Sequence, residues 1–322
     1  MENLWQNLTY DAIFSSLEET LQVKLSNICI KRNSYINRVY ELEEFDSQKR
    51  FIVKFYRPKR WTSQMIQEEH LFLKKLSADE VSVIPPIEIN NKTLFSFGDI
   101  SYAIFSKKGG RAIDEFNQEG WETVGRMLAK IHKVGERHKE SIRIKWRPSV
   151  ATKHHLEVLL GTDYLLPDFR NSFKTAADLF IDRFDSLFDD QEFILIHGDC
   201  HKGNLIHRPN EGIFVIDFDD ICLGPPVQDL WMLLPDTIYN SKRELEWFFK
   251  GYETFRSFNK KSFELAEPLR GMRIIHYVAW LAIQSGEPDF KKHFPEAGTS
   301  KYWNSIIKDL QEIVCRHSQN AN

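Results

Sequence analysis

Two short apolar runs, each ending in an aspartate, constrain this chain more than any other feature. Phe193 to Ile196 leads into His197-Gly198-Asp199, with Asn204 five positions beyond Asp199, and Ile213 to Ile216 delivers Asp217 at its end. Apolar runs of this length bounded by turn formers read as buried strands, and Arg208-Pro209-Asn210-Glu211-Gly212 reads as the turn of a β-hairpin joining them. A hairpin brings the exits of its segments onto one patch, so Asp199, Asn204 and Asp217 are expected to converge. Aspartate is common in turns after strands, and either acid alone says little. Gly198, Asn204 and the paired strands together make a pattern that a packed core does not require.

Two carboxylates and one carboxamide are the set that phosphoryl transfer from a nucleotide needs. One acid orients the attacking hydroxyl, and the remaining oxygens hold Mg²⁺ against the phosphates. An Asp, an Asn five residues later and an Asp at the end of the next strand also follow the spacing of the kinase catalytic loop. A competing use is a zinc site built from His197, Cys200, His201 and His207. Zinc ligands come in tight pairs, and only His197 and His201 are so spaced. His197 is expected instead to brace the loop through hydrogen bonds.

The 322 residues suffice for one large or two moderate domains, each with its own core. A net charge of -3 with interleaved signs gives no global field for nucleic acid or an acidic membrane. Cys29, Cys200, Cys222 and Cys315 are far apart and form no C-x-x-C pair, which fits a reducing compartment. Residues 1–25 hold Glu2, Asp11, Glu18, Glu19 and Lys24 and so read as no signal segment. No run approaches the ~18 apolar residues of a membrane span. The expectation is a soluble, cytoplasmic, monomeric protein.

Ile13, Phe14, Leu17 and Leu21 mark an amphipathic helix over 9–22. Strands follow over 25–31, 37–45 and 50–56, then a helix over 63–76 and strands over 87–90, 93–97 and 101–105, an antiparallel set by connection length. Lys54 sits inside the apolar strand Phe51 to Phe55, where an unpaired ammonium would be costly to bury. It therefore calls for an acid, and Glu68 and Glu69 lie on the next helix. Charge and glycine at Ser106-Lys107-Lys108-Gly109-Gly110 break the pattern, which divides the chain into lobes 1–106 and 107–322. Beyond that point helices are expected over 116–134 and 176–187, and the remainder, 241–317, is expected to be helical, with weak periodicity over 140–168. The fold class is α+β, with an antiparallel N-terminal sheet and a mainly helical remainder. Phe218-Asp219-Asp220 follows Asp217; Asp219 and Asp220 can reach a metal through water or serve as ordinary solvated loop acids.

HGDCHKGN, VIDFDD and GPPVQDLW together resemble the aminoglycoside phosphotransferase group of kinase-like proteins. Within it, NSYINRVYEL, VKFYRPKRW, VGRMLAKIH, VQDLWMLL and EPLRGMRIIHYVAWL are similar to the stress response kinase A family of bacterial serine/threonine protein kinases. The resemblance spans about residues 30 to 305. It implies a bilobal protein-kinase-like fold that uses ATP and Mg²⁺, with a protein hydroxyl as acceptor. Across the wider group it implies a small alcohol such as choline, homoserine or an aminoglycoside. By the same resemblance Asp199 faces the acceptor, Asn204 and Asp217 hold metal, and Lys54 and Glu69 position the phosphates. Ser34 and Asn37 replace the glycines of the usual phosphate loop, whose turn can still aim N–H groups at phosphate oxygens. Adenine lies against the hinge near Phe105 to Lys107, and Asp229 anchors the catalytic loop by accepting backbone N–H groups. A protein that binds nucleotide without turning it over is the alternative of another class. Its mark would be loss of one of the acids or the lysine, and all are present.

Overall fold

The computed structural model describes residue 5 and residues 7–320; positions 1–4, 6, 321 and 322, at the ends of the two expected lobes and including Glu2, lie outside the described residues. The first lobe comprises α1 (Tyr10–Leu21), β1 (Leu25–Arg32), β2 (Arg38–Glu44), β3 (Arg50–Phe55), α2 (Ser63–Ala78), β4 (Phe95–Phe97) and β5 (Ile100–Ser106). Its strands form one antiparallel sheet in the order β1-β2-β3-β5-β4. Alternation in β3 buries Phe51, Val53 and Phe55 on one face, where Ile13 and Leu17 of α1 cover them. Burying each such side chain stabilises the lobe by about 1.5–3 kcal/mol. The opposite face carries Ile52 and Lys54 and looks into the cleft between the lobes.

The second lobe begins with β6 (Arg111–Ala112) and α3 (Gln118–Gly135), followed by α4 (Lys153–Leu160) and α5 (Pro167–Phe184). Then come β7 (Ile194–Ile196), β8 (Leu205–Arg208), β9 (Gly212–Val215), β10 (Cys222–Gly224) and α6 (Val227–Trp231). The chain ends with α7 (Lys242–Tyr252), α8 (Ala266–Gln284), α9 (Phe290–His293) and α10 (Ser300–Asn320). Leu128, Leu195, Phe248, Ile275 and Trp303 belong to its core, and Phe72 and Leu76 of α2 are buried in that core too.

Three sequence expectations are corrected. The hairpin joins β8 to β9, because Leu205–Arg208 takes the place beside Ile213, and the run at 193–196 pairs antiparallel with β10 instead. Convergence survives through the new register: Leu205 opposite Val215 sets Asn204 beside Ile216, whose N–H donates to the Asn204 carbonyl at 3.0 Å. Residues 87–90 form only one isolated bridge, Ile89 to Lys92, with a second just before them from Pro86 to Phe105; Pro85 and Pro86 bring no N–H to a ladder. The helix expected at 176 starts at Pro167, a residue preorganised for the first helical position. The weakly periodic segment 140–168 contains a π-helical turn, Pro148–Thr152, running directly into α4.

Helix α7 crosses α3 backbone against backbone at Gly251, where a Cβ would be driven into the carbonyl oxygen of Glu122. Gly251→Ala should therefore destabilise the protein by about 1–3 kcal/mol through overpacking, read as a lowered midpoint in urea unfolding. An unchanged midpoint would mean that the helices separate without penalty.

The lobes also meet on the side away from the 106–110 connection. Arg38 and Arg57 of the first lobe both pair with Glu287, which follows α8, at 3.0 Å each, and Arg57 also donates to Gln284 at 3.1 Å. Beside them Tyr35, from the β1–β2 turn, packs edge-on against Trp280 and His293.

Candidate active site

A cleft of about 970 Å³ lies between the lobes, at the upper end of the size that small-ligand sites occupy. Ser34, Asn37, Lys54, Glu69, Phe105, Lys107, Asp199 and Asp217 line it. Asn204 lies behind the floor, buried, and is tied to the backbone of Asp199 and of Ile216, the residue before Asp217. Its side-chain N–H donates to the Asp199 carbonyl at 2.9 Å, which leaves Oδ1 as its acceptor, and its own carbonyl holds Ile216.

The loop 197–204 is fixed from below. Asp229, fully buried in α6, accepts the N–H of His197 at 2.9 Å and of Gly198 at 2.8 Å, while His132 of α3 contacts the same carboxylate at 3.2 Å. Gly198 has φ +81°, and a Cβ there would strike the Asp220 carbonyl, so only glycine suits the position. His197 Nε2 donates to the Ile216 carbonyl at 3.0 Å, and Nδ1 then accepts the Asp199 N–H at 3.3 Å. Both ring nitrogens are used in bracing the loop, as expected. His132 meets the Tyr252 hydroxyl at 2.8 Å, and burial holds its imidazole below the usual range. It is a structural link.

Asp217 leaves β9 with φ 63°, a left-handed conformation uncommon outside glycine and typical of strained functional positions. Lys54 Nζ is 3.4 Å from Asp217 and 3.8 Å from Glu69, but its nearest partner is Asp219. Asp219 is buried, not a solvated loop acid. Besides Lys54 it accepts a hydrogen bond from Asn37 Nδ2 at 2.6 Å and pairs with Arg60 at 3.3 Å. Arg60 also pairs with Asp220 at 2.6 Å. Behind them Arg143, buried and stacked over Trp61, donates to the Asp219 carbonyl at 2.9 Å and lies 3.7 Å from Glu69.

Three cations, Lys54, Arg60 and Arg143, thus face four acids, Glu69, Asp217, Asp219 and Asp220. The electrostatics follow. Burial alone would lower Lys54, but Asp219, Glu69 and Asp217 hold it well above the usual lysine range. Burial pushes Glu69 up to about 8 against the pull of Lys54 and Arg143. Desolvation, joined by the like charges of Asp219 and Asp220, raises Asp217. For Asp219 the pull of Lys54 and Arg60 exceeds the effect of burial, and its carboxyl is lowered. Asp199 is different: burial would raise it, but His201 and the Arg273 guanidinium hold it down at about 2. Arg273 Nη1 lies 2.6 Å from Asp199 Oδ1.

Two hinge and loop residues are already engaged. The Lys107 N–H donates to the Arg50 carbonyl at 3.1 Å and its ammonium to Glu41 at 2.5 Å. Asn37, besides donating to Asp219, accepts the Arg57 N–H at 3.0 Å. Sequence reasoning missed Arg60, Arg143 and Arg273. Arg60 is one of six basic residues between positions 49 and 60, a local pattern that singles out none of them, and Arg143 lies in the weakly periodic segment. For Arg273 the one available signal is its place beside the apolar stripe Leu269, Met272, Ile275 and Trp280 of α8.

A two-lobed fold with an antiparallel sheet over helices, a strand lysine above two loop aspartates, and a loop at 197–204 anchored by Asp229 defines a kinase-like phosphotransferase. The sequence profile of the phosphotransferase enzyme family matches residues 30–262, and the chain belongs to that family. It is an ATP-dependent kinase. Among its relatives, stress response kinase A of Escherichia coli (strain K12) is 36% identical over 304 residues, covering 93% of this chain and 90% of that protein. Serine/threonine protein kinase RdoA of Salmonella typhimurium (strain LT2) is 36% identical over 276 residues, covering 84% and 82%. Among solved structures, amicoumacin kinase hAmiN in complex with AMP-PNP, Ca²⁺ and Ami superposes with a TM-score of 0.74 at 16% identity, over 98% of this chain and 96% of that one.

Proposed function

We propose that this kinase transfers the γ-phosphoryl group of ATP, with Mg²⁺, to a serine or threonine hydroxyl of a protein. The observation that carries the donor half is Asp199 and Asp217 lining one cleft beneath Lys54. The acceptor half rests on the 36% identity to stress response kinase A over nearly the whole chain. Asp199 orients the hydroxyl, Asn204 Oδ1 and Asp217 ligate the metal, and Lys54, braced by Glu69 and Asp219, meets the phosphates. Ser34 and Asn37 bound the phosphate end, and Phe105 and Lys107 the adenine end.

The residues fit Mg²⁺. Among the described residues no three His, Cys, Asp or Glu side chains form a ready-made metal cage, and Mg²⁺ characteristically takes one or two carboxylates and completes its shell with water and substrate phosphates. The donors here are hard oxygens, and the crowding that raises Asp217 is what a nearby cation relieves. When bound, the metal neutralises charge on the phosphate oxygens.

A second reading, a small-molecule hydroxyl kinase, is favoured by the packing of Tyr35 on Trp280 at the cleft mouth and by neighbours such as spectinomycin phosphotransferase and the microcompartment-associated aminopropanol kinase. Labelled ATP supplied with protein and small-alcohol acceptors, and with the kinase alone, separates the two. Label in protein serine or threonine supports the first reading; label only in small alcohols overturns it. Absence of all ATP turnover by folded protein would favour a silent nucleotide binder.

Among the described residues no helix is long and apolar enough to cross a membrane, and the four cysteines are unpaired. A cytoplasmic location is the compartment this chemistry suits.

A further inference from the structure

Asp199 is held by a residue from a distant element. Arg273 projects from the middle of α8 into the cleft, its side chain 27% exposed, and its Nη1 meets Asp199 Oδ1 at 2.6 Å. The other carboxylate oxygen, Oδ2, lies 3.6 Å from His201 Nε2, beyond hydrogen-bond reach. Of the other cleft-lining lysines and arginines, Lys54 and Arg60 are engaged by Asp217, Asp219 and Asp220 on the nucleotide side, Arg32 and Lys107 by Glu41, and Lys108 by Glu211. Arg273 is therefore the cation assigned to the acceptor side of this group. Its neighbours along the same helical face are Tyr277 and Trp280, four and seven residues on, which also line the cleft.

A free carboxylate rotates in a broad, two-fold torsional well, whereas an acceptor hydroxyl must approach one oxygen in line with the transferring phosphorus. A guanidinium ion-paired with the buried Oδ1, though not aligned on it as a hydrogen bond, biases that rotation and leaves Oδ2 to the substrate. We infer that Arg273 is a positioning residue for phosphoryl transfer, pairing with one oxygen of Asp199 so that the other receives the acceptor hydroxyl. In the step itself the acceptor oxygen bonds to the γ-phosphorus, and the bond from that phosphorus to the β–γ bridging oxygen breaks. ADP leaves with the electron pair, and the hydroxyl proton passes to Asp199 Oδ2. This inference rests on the reading that Asp199 serves the acceptor.

Transfer is read as ADP formed from ATP by the full-length kinase with the acceptor its screen selects, nucleotide binding as the Kd of a fluorescent ATP analogue, and folding as the thermal midpoint. Arg273→Met should lower kcat about 100-fold, the effect of misplacing a reacting group by ~1 Å, with nucleotide Kd within about 2-fold of wild type. Arg273→Lys, which keeps the charge but not the planar fork, should fall between. Adding guanidinium ion at millimolar concentration to Arg273→Ala should restore part of its rate and leave wild type unchanged. In an Asp199→Asn background Arg273→Met should add no further loss, since both act through one oxygen. Multiplicative losses in that double variant, or kcat falling only in proportion to folded protein, would overturn the positioning role while leaving Asp199 in place. Full activity of Asp199→Asn alone would remove the reading beneath it.

Discussion

Asp199→Asn is expected to lower the rate of phosphoryl transfer by about 10²–10⁴-fold, the usual contribution of a positioned acid–base group. The substitution keeps size and shape, and the loop around it is held by contacts that do not use the Asp199 side chain: Asp229 on His197 and Gly198, and Asn204 on the Asp199 carbonyl. The fold and nucleotide affinity should therefore remain near wild type. The lost ion pair with Arg273 leaves a guanidinium that is already partly open to solvent, so the stability penalty should be small. Steady-state ADP release alongside a thermal melt checks this. Wild-type turnover in a folded Asn variant would remove Asp199 from the reaction.

Asp217→Ala is the second large effect, and it falls on binding. Losing one of the proposed metal ligands should abolish the part of nucleotide affinity that depends on Mg²⁺, while metal-independent binding through Lys54 persists. Titrating a nucleotide with and without Mg²⁺ separates the two, and a variant whose affinity still rises with metal would refute ligation by Asp217. Stability without metal should hardly change. Relief of the crowding with Asp219 and Asp220 that raises Asp217 favours the variant, whereas alanine at φ 63° is disfavoured by about 1–2 kcal/mol. These terms oppose each other.

Local pattern revealed whatever chemistry forces locally. An ammonium in an apolar strand needs an acid, so a partner for Lys54 on α2 was legible, with Glu69 rather than Glu68 given only by the family resemblance; the amphipathic α1, the helix α2 and the antiparallel connections between β1, β2 and β3 were legible too. Asp199 and Asp217 were legible because a strand end, a glycine and an amide recur at a spacing only chemistry explains. Partner choice across the cleft was not. Nothing in Asp217-Phe218-Asp219 tells which acid points inward; the register of β8 on β9 and the position of Arg60 decide that Asp219 is buried against Lys54. The hairpin was misread for a related reason. Leu205–Arg208 is too short and too polar at His207 and Arg208 to announce a strand, and only its pairing with β9 makes it one.

The bridge from Arg38 and Arg57 to Glu287 ties the two lobes together a second time, away from the covalent connection at 106–110, so the cleft is fastened at two places like a clasped bracelet. These side chains are only 10–22% exposed, so salt screens the pairs weakly, and any hold they have on nucleotide exchange should persist as ionic strength rises. Glu287→Gln, which removes both ion pairs, should speed nucleotide release in stopped-flow at low and high salt alike; release at the wild-type rate would show that the bridge does not hold the cleft closed.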